Sequence, residues 1–282
     1  MKKFILILFV VLMFARAGYS QSVHILVNIW DGTKWDKVES LYNRGLLPNL
    51  SSIGQLHHLT ANEDCFGDKC MMTVTMPQHA TMFTGCLADV HGTFSNNDYQ
   101  VIPNNITVQE LIKNNNPLVR VAQISGKKIY FGHRIFGNIM DEVDIYMQVD
   151  RSLNFHVPTV ERLLYAWKND SYFIVLHFRE PDETGHIYGI DSKEYTSSIG
   201  RNDEILGQIL SSMKKNENGA QTFVYVLSDH GFGCPTTQQH TCTPNTFIVS
   251  NNSALDHDIY MKDVASFLLS HFGLNSFCNG RY

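Results

Sequence analysis

A layered α/β/α fold with a mostly parallel central sheet is the fold class that the sequence predicts, on three observations. Five short segments, 23–30, 118–125, 172–178, 222–227 and 246–250, are rich in β-branched and aromatic residues and apolar almost throughout. Continuous apolar strands of this kind belong to a parallel sheet buried on both faces. Helical patterns lie between them at 34–44, 108–113, 159–167, 193–215 and 261–270, and such an alternation places helices on both faces of the sheet. No Pro/Gly/Ser linker and no repeat interrupts it, so residues 21–282 read as one domain.

Taken in order, the chain opens with Lys2 and Lys3, an apolar run over 4–15, and the small residues Ala15, Ala17, Gly18 and Ser20. Residues 1–20 therefore read as a secretory signal peptide, too short for the ~20 apolar residues of a membrane span. The expected product is secreted or periplasmic, with no membrane span after signal cleavage. The strand at 23–30 runs into Asp31-Gly32 and the helix at 34–44. At 73–85, Pro77 reads as the first residue of a helix, with Thr75 or Met76 at its cap. Residues 97–156 have weaker periodicity and are expected to shape a substrate site. The strand at 172–178 leads to Arg179-Glu180-Pro181-Asp182, and that at 222–227 to Ser228-Asp229-His230-Gly231.

Composition narrows the classes. Hydrophobic residues make up 44% of the chain and charged ones 17%, which excludes disordered, collagen-like and coiled-coil proteins. Lys plus Arg is 22 against 27 Asp plus Glu, a formal charge of -5, so no broad nucleic-acid-binding surface is expected. Loss of Lys2, Lys3 and Arg16 with the signal peptide makes the mature chain more acidic still. Export lets the six cysteines pair. Cys65 with Cys70 and Cys234 with Cys242 are close in sequence, leaving Cys86 and Cys278, although six cysteines allow fifteen connectivities. No C-x2-C element supports a structural zinc.

In open α/β sheets, ligands bind beyond the carboxyl ends of the strands. Three strand ends here deliver Asp31, Asp182 and Asp229, with His186 four residues after Asp182, His230 directly after Asp229, and His240 ten residues later. Carboxylate oxygens mixed with imidazole nitrogens are the donors expected of a catalytic zinc or a similar divalent cation. Such groups would repel and desolvate one another without a cation. Thr75, at the start of its helix, lies in a positive potential that suits an alkoxide or a bound phosphate. Singly, each of these residues is as well read as a turn, a cap or a structural histidine.

Together the motifs ILVNIWDG with PNL downstream, TVTMPQHATMFTG followed by HG, EPDETGH, and VLSDHG with a later histidine resemble the alkaline phosphatase superfamily, in particular its type I phosphodiesterase and nucleotide pyrophosphatase family. They lie in the expected order and cover nearly the whole mature chain. The resemblance implies a catalytic domain with two divalent metal ions, zinc or manganese. Asp182, His186 and His240 would hold one; Asp31, Asp229, His230 and the Thr75 hydroxyl the other. Thr75 would be the nucleophile, forming a covalent phosphothreonine, and Asn96 would bind the substrate phosphate. The implied partner is a small phosphodiester or nucleotide. Lys34 stands where the family usually has an arginine.

Two departures bear on the substrate. Met76 replaces the aromatic that nucleotide-cleaving members carry after the nucleophile, and His240 follows the DHG motif at a short distance that resembles compact phosphatases. A phosphomonoesterase is the alternative on the same scaffold; it would need a further cation for the phosphate, for which Lys127, Lys128 and Arg134 are candidates. A sulfatase would have a modified Cys or Ser in C/S-x-P-x-R, where this chain has Thr75 and His79. A non-catalytic binding protein would lack a donor or the nucleophile.

Overall fold

The computed structural model describes residues 22–127, 143–148, 155–216 and 222–282. The expected signal peptide, Lys128 and Arg134 lie outside these residues, as do 128–142 and 149–154 of the 97–156 region. In chain order the elements are β1 (His24–Trp30), α1 (Trp35–Asn43), α2 (Pro48–Ile53), β2 (Leu56–Thr60), the short β3 (Cys65–Phe66) and β4 (Lys69–Cys70), α3 (Thr75–Thr84), α4 (Ala88–His91), α5 (Val108–Asn115), β5 (Arg120–Ser125) and β6 (Ile145–Gln148). They continue with α6 (His156–Ala166), β7 (Tyr172–Phe178), α7 (Asp182–Tyr188), α8 (Lys193–Asn216), β8 (Thr222–Leu227), β9 (Asn245–Ser250), β10 (Ile259–Tyr260) and, after a 3-10 turn at Met261–Asp263, α9 (Val264–Ser270).

Eight strands form one sheet in the order β10-β2-β9-β8-β1-β7-β5-β6. Its pairs are parallel except those that β9 makes with β2 and β8. Alternation along the strands divides the core in two. Ile25, Val27, Ile29, Phe173 and Val175 face one layer, where they meet Met76, Ala80 and Phe83 of α3 and Leu268 of α9. Leu26, Ile174, Leu176 and Val226 face the other, against Val38 of α1, Leu163 of α6 and Leu206 of α8. The α/β/α layering is thus as the apolar strands predict.

Several boundaries differ from expectation. Helix α3 begins at Thr75, two residues before Pro77, because Val74 is the extended N-cap (φ -130, ψ 166) and no side chain caps the helix. Thr75 is therefore the first helical residue, with its hydroxyl left for other partners. The strand expected from 118 begins at Arg120, since Leu118 is 80% exposed and its N–H turns to Asn116 Oδ1. Helix α6 starts at His156 and takes Pro158 into its first turn, where no intrahelical N–H is required. Strands β2, β6 and β10 were not expected: β2 alternates buried and half-buried residues around two histidines, while β6 has only four residues and β10 only two.

All three cysteine pairs form, Cys65–Cys70, Cys86–Cys278 and Cys234–Cys242. Cys86–Cys278 spans 192 residues and Cys65–Cys70 only 5. Loop-closure entropy then predicts that replacing both members by alanine costs about 5 kcal/mol for the long link and about 2 kcal/mol for the short one. Urea unfolding of the two double variants checks this; the reverse order would show that denatured-state entropy does not set their worth.

Candidate metal centre

The sheet brings the candidate donors together because β8, β1 and β7 are neighbours. Asp31 follows the last residue of β1, Asp229 lies just beyond β8, and Asp182 opens α7 after β7. His186 lies one turn along α7 from Asp182, a spacing that puts both on one helix face. His240 comes in on a loop closed by Cys234–Cys242 and tied to the segment before Thr75, since Thr73 Oγ1 donates to His240 O and accepts from the Thr243 N–H. Gly32 lets β1 and α7 meet. Its φ is +65, and a Cβ there would lie 2.8 Å from both Cβ and Oδ1 of Asp182.

Two clusters of donors result, buried except for His186, whose side chain is 46% exposed. In one, the Nε2 atoms of His186 and His240 are 3.0 Å apart and lie 3.5 and 3.3 Å from Asp182 Oδ1. In the other, His230 Nε2 is 3.4 Å from Asp31 Oδ1, from Asp229 Oδ2 and from Thr75 Oγ1. Zinc at ~2.0–2.1 Å from tetrahedral N and O donors separates those donors by about 3.3–3.4 Å. The spacing therefore fits a divalent cation. So does the direction of the lone pairs: Nδ1 of His186, His230 and His240 points at the carbonyls of Gln238, Gly231 and Thr73. Carbonyl oxygens only accept, so each Nδ1 carries a proton, and each Nε2, once free of any proton of its own, turns a lone pair inward. Lone pairs and carboxylates facing one another need a positive charge between them.

Basic side chains stand behind the carboxylates. Lys127 Nζ lies 2.5 Å from Asp31 Oδ2 and 2.6 Å from Asp182 Oδ2. His177 Nε2 is 3.1 Å from Asp31 Oδ2, and His79 Nε2 is 3.4 Å from Asp229 Oδ2. Burial opposes the charge on Asp31, but Lys127, His177 and His230 outweigh it and hold the carboxyl well below its ordinary range. Burial, with the Asp31 carboxylate beside it, raises Asp229. Burial also works against a charged His230, yet Asp229 and Asp31 push it up to about 9. His240 falls to about 3 through burial and the neighbouring charge of His230.

All of the expected donors, Asp31, Thr75, Asp182, His186, Asp229, His230 and His240, thus stand around this centre. Asn96 stands next to it, its Oδ1 accepting from the Met76 N–H at 2.9 Å; this fixes the amide and leaves Nδ2 as a donor. Met76 itself is fully buried in the core and offers no surface to a base. His91 is turned away, bonded to Thr81 Oγ1 and the Thr93 N–H. Lys34 pairs with Asp36. His177 is the residue that sequence reasoning passed over; the signal was a single polar side chain inside the apolar run YFIVLHF of β7.

A family profile described as type I phosphodiesterase / nucleotide pyrophosphatase matches residues 25–270. The chain is 25% identical over 230 residues to ectonucleotide pyrophosphatase/phosphodiesterase family member 7 of Rattus norvegicus, covering 75% of this chain and 50% of that protein. It is 27% identical over 231 residues to the venom phosphodiesterase CdcPDE of Crotalus durissus collilineatus, covering 76% and 27%. The chain thus spans half or less of the length of these curated relatives. Among solved structures, the alkaline phosphatase of the Antarctic bacterium TAB5 matches with a TM-score of 0.63 at 14% identity, over 90% of this chain and 99% of that one. An inactive threonine-to-alanine variant of murine ectonucleotide pyrophosphatase / phosphodiesterase 5, in complex with AMP, matches with a TM-score of 0.61 at 16% identity, over 92% and 96%.

Proposed function

Because the chain belongs to the type I phosphodiesterase / nucleotide pyrophosphatase family, we propose that it is an exported, metal-dependent phosphodiesterase that cleaves small phosphodiesters or nucleotides through Thr75. The observation that carries this reading is the pair of donor clusters, with donor separations of 3.0–3.5 Å and inward-facing Nε2 atoms, the second of which includes the hydroxyl of Thr75. Asp182, His186 and His240 hold one divalent cation; Asp31, Asp229, His230 and Thr75 hold the other. Zinc suits the mixed N and O donors, and manganese is the second choice. When bound, the two cations lower the pKa of a hydroxyl or water and stabilise the attacking and leaving oxygens of an in-line displacement.

The chain's own groups do the rest. Thr75 Oγ1 attacks phosphorus, the ester alcohol departs, and a phosphothreonine ester forms. Water then cleaves that ester and returns the hydroxyl. Asn96 Nδ2 holds a non-bridging phosphate oxygen, its orientation set by the Met76 N–H. The AMP bound by the murine neighbour supports a nucleotide-sized substrate, whereas the burial of Met76 gives no stacking surface for a base. Export is supported by the three disulfides, which belong to oxidising compartments, and by relatives named as venom enzymes. Among the described residues no helix is long and apolar enough to cross a membrane.

A phosphomonoesterase is the second reading on the same scaffold; it would need the Lys127 ammonium, here held between Asp31 and Asp182, to meet the substrate phosphate. The ratio of activity on bis(p-nitrophenyl) phosphate to that on p-nitrophenyl phosphate separates the two. We expect the diester to be preferred, and a strong preference for the monoester would overturn the leading reading.

Gly32→Ala tests the packing that joins the halves. A side chain at positive φ costs ~1–2 kcal/mol, and its Cβ would push Asp182 away. A displacement near 1 Å at a catalytic group costs about 100-fold in rate. Turnover should therefore fall by about that factor while the protein still folds, at a urea midpoint lowered in keeping with ~1–2 kcal/mol; unchanged turnover would contradict the role given to Asp182.

A further inference from the structure

The two carboxylates that follow β1 and β7 divide their oxygens. Asp31 Oδ1 and Asp182 Oδ1 face the imidazoles, at 3.4 Å from His230 and at 3.3 and 3.5 Å from His240 and His186. Asp31 Oδ2 and Asp182 Oδ2 both meet the single ammonium of Lys127, at 2.5 and 2.6 Å, and Asp31 Oδ2 also has His177 Nε2 at 3.1 Å. Lys127 is thus the residue that touches an acid from each cluster. Its backbone is fixed for this: the Lys127 N–H donates to Ser125 Oγ, which donates back to Lys127 O. Gly126 before it lies so close to β7 that a Cβ would be 2.9 Å from His177 O and 3.0 Å from the Arg179 N. The turn after β5 is therefore pressed against the strand that leads to Asp182, and the Lys127 side chain is only 16% exposed.

We propose that Lys127 is a positioning residue of the centre, a built-in third cation that ties the two donor clusters together through the carboxylate oxygens turned away from His186, His230 and His240. The inference rests on the two-metal reading above. With Oδ2 of each acid held by an ammonium, only Oδ1 is left for a metal, so each carboxylate stays monodentate. The same charge offsets the repulsion of buried carboxylates when no metal is bound, as a buried pair does only when its geometry is close. A lysine bonded in this way is not the phosphate contact that a phosphomonoesterase would require.

The test uses the whole protein, freed of metal by a chelator and titrated with cobalt(II) chloride. Wild type should take up two equivalents with the strong visible absorption of four-coordinate cobalt. In Lys127→Met the carboxylates are free to become bidentate, and the absorption per cobalt should weaken as the coordination number rises. The metal-free variant should melt about 10 °C below metal-free wild type, and the cobalt-loaded variant should lose much less. On bis(p-nitrophenyl) phosphate, kcat should fall by about 10–100-fold with KM little changed. Lys127→Arg, which keeps the charge, should restore the spectrum and most of the melting temperature, and keeps the test open if the Met variant folds poorly. An unchanged cobalt spectrum and metal-free stability in Lys127→Met, with a raised KM, would overturn the proposal and make Lys127 a phosphate contact. Uptake of fewer than two equivalents by wild type would overturn both the proposal and the two-metal reading, before any variant is compared.

Discussion

Replacing Thr75 by alanine is expected to lower kcat/KM on bis(p-nitrophenyl) phosphate by about 10⁴-fold or more, the loss typical of removing a covalent nucleophile. The fold should hardly notice. Thr75 is buried at the first position of α3, but its hydroxyl makes only a long contact, 3.4 Å from His230 Nε2. The helix has no side-chain cap to lose, so the stability cost should stay within ~1 kcal/mol. Metal should still bind, since six of the seven donors remain. Urea unfolding and elemental analysis of the variant check both points. A Thr75→Ala protein that turns over at near wild-type rates would remove Thr75 from the chemistry, whereas one that has lost its metal would make the hydroxyl a structural donor.

The second large effect is removal of metal. Dialysis against a chelator should abolish turnover, and two equivalents of zinc or manganese per chain should restore it. Metal uptake should also depend on pH in a defined direction. In the metal-free protein His230 keeps its proton up to about 9, because Asp229 and Asp31 outweigh the effect of burial. A cation must displace that proton to reach Nε2, so its apparent affinity should rise with pH up to about 9, about tenfold per unit for each proton released. Competition with a chelator of known pH behaviour measures the slope. Affinity independent of pH, or full activity without metal, would contradict the assignment of His230 as a donor.

Much of this arrangement was legible in the chain because short-range and long-range signals agreed. Apolar runs at β1, β7 and β8 announced buried parallel strands, and an aspartate at or just beyond each strand end pointed to the carboxyl edge of the sheet. The cysteine pairs followed from proximity in sequence and elimination. What could not be read depends on packing. Lys127 could be read as a candidate phosphate cation or as a plain surface lysine, and only the approach of the turn after β5 to β7 carries it to Asp31 and Asp182. His177 sits in a strand whose register against β1 sets it opposite Ile29, within reach of Asp31. The edge strands β6 and β10, and β2 next to β10, are short or half-buried and carry little periodic signal of their own. The start of α3 was placed two residues late because Pro77 fits any position of the first turn, not the first alone.

The account's central claim is that phosphorus passes through Thr75, and the stereochemical course of hydrolysis tests it without requiring the intermediate to accumulate. Each in-line displacement inverts the configuration at phosphorus, so transfer to Thr75 followed by transfer to water must give net retention. We expect a phosphorothioate diester of known configuration, hydrolysed in isotopically labelled water, to yield product with retained configuration. Net inversion would mean that water attacks the diester directly, and would contradict the role of Thr75 as nucleophile.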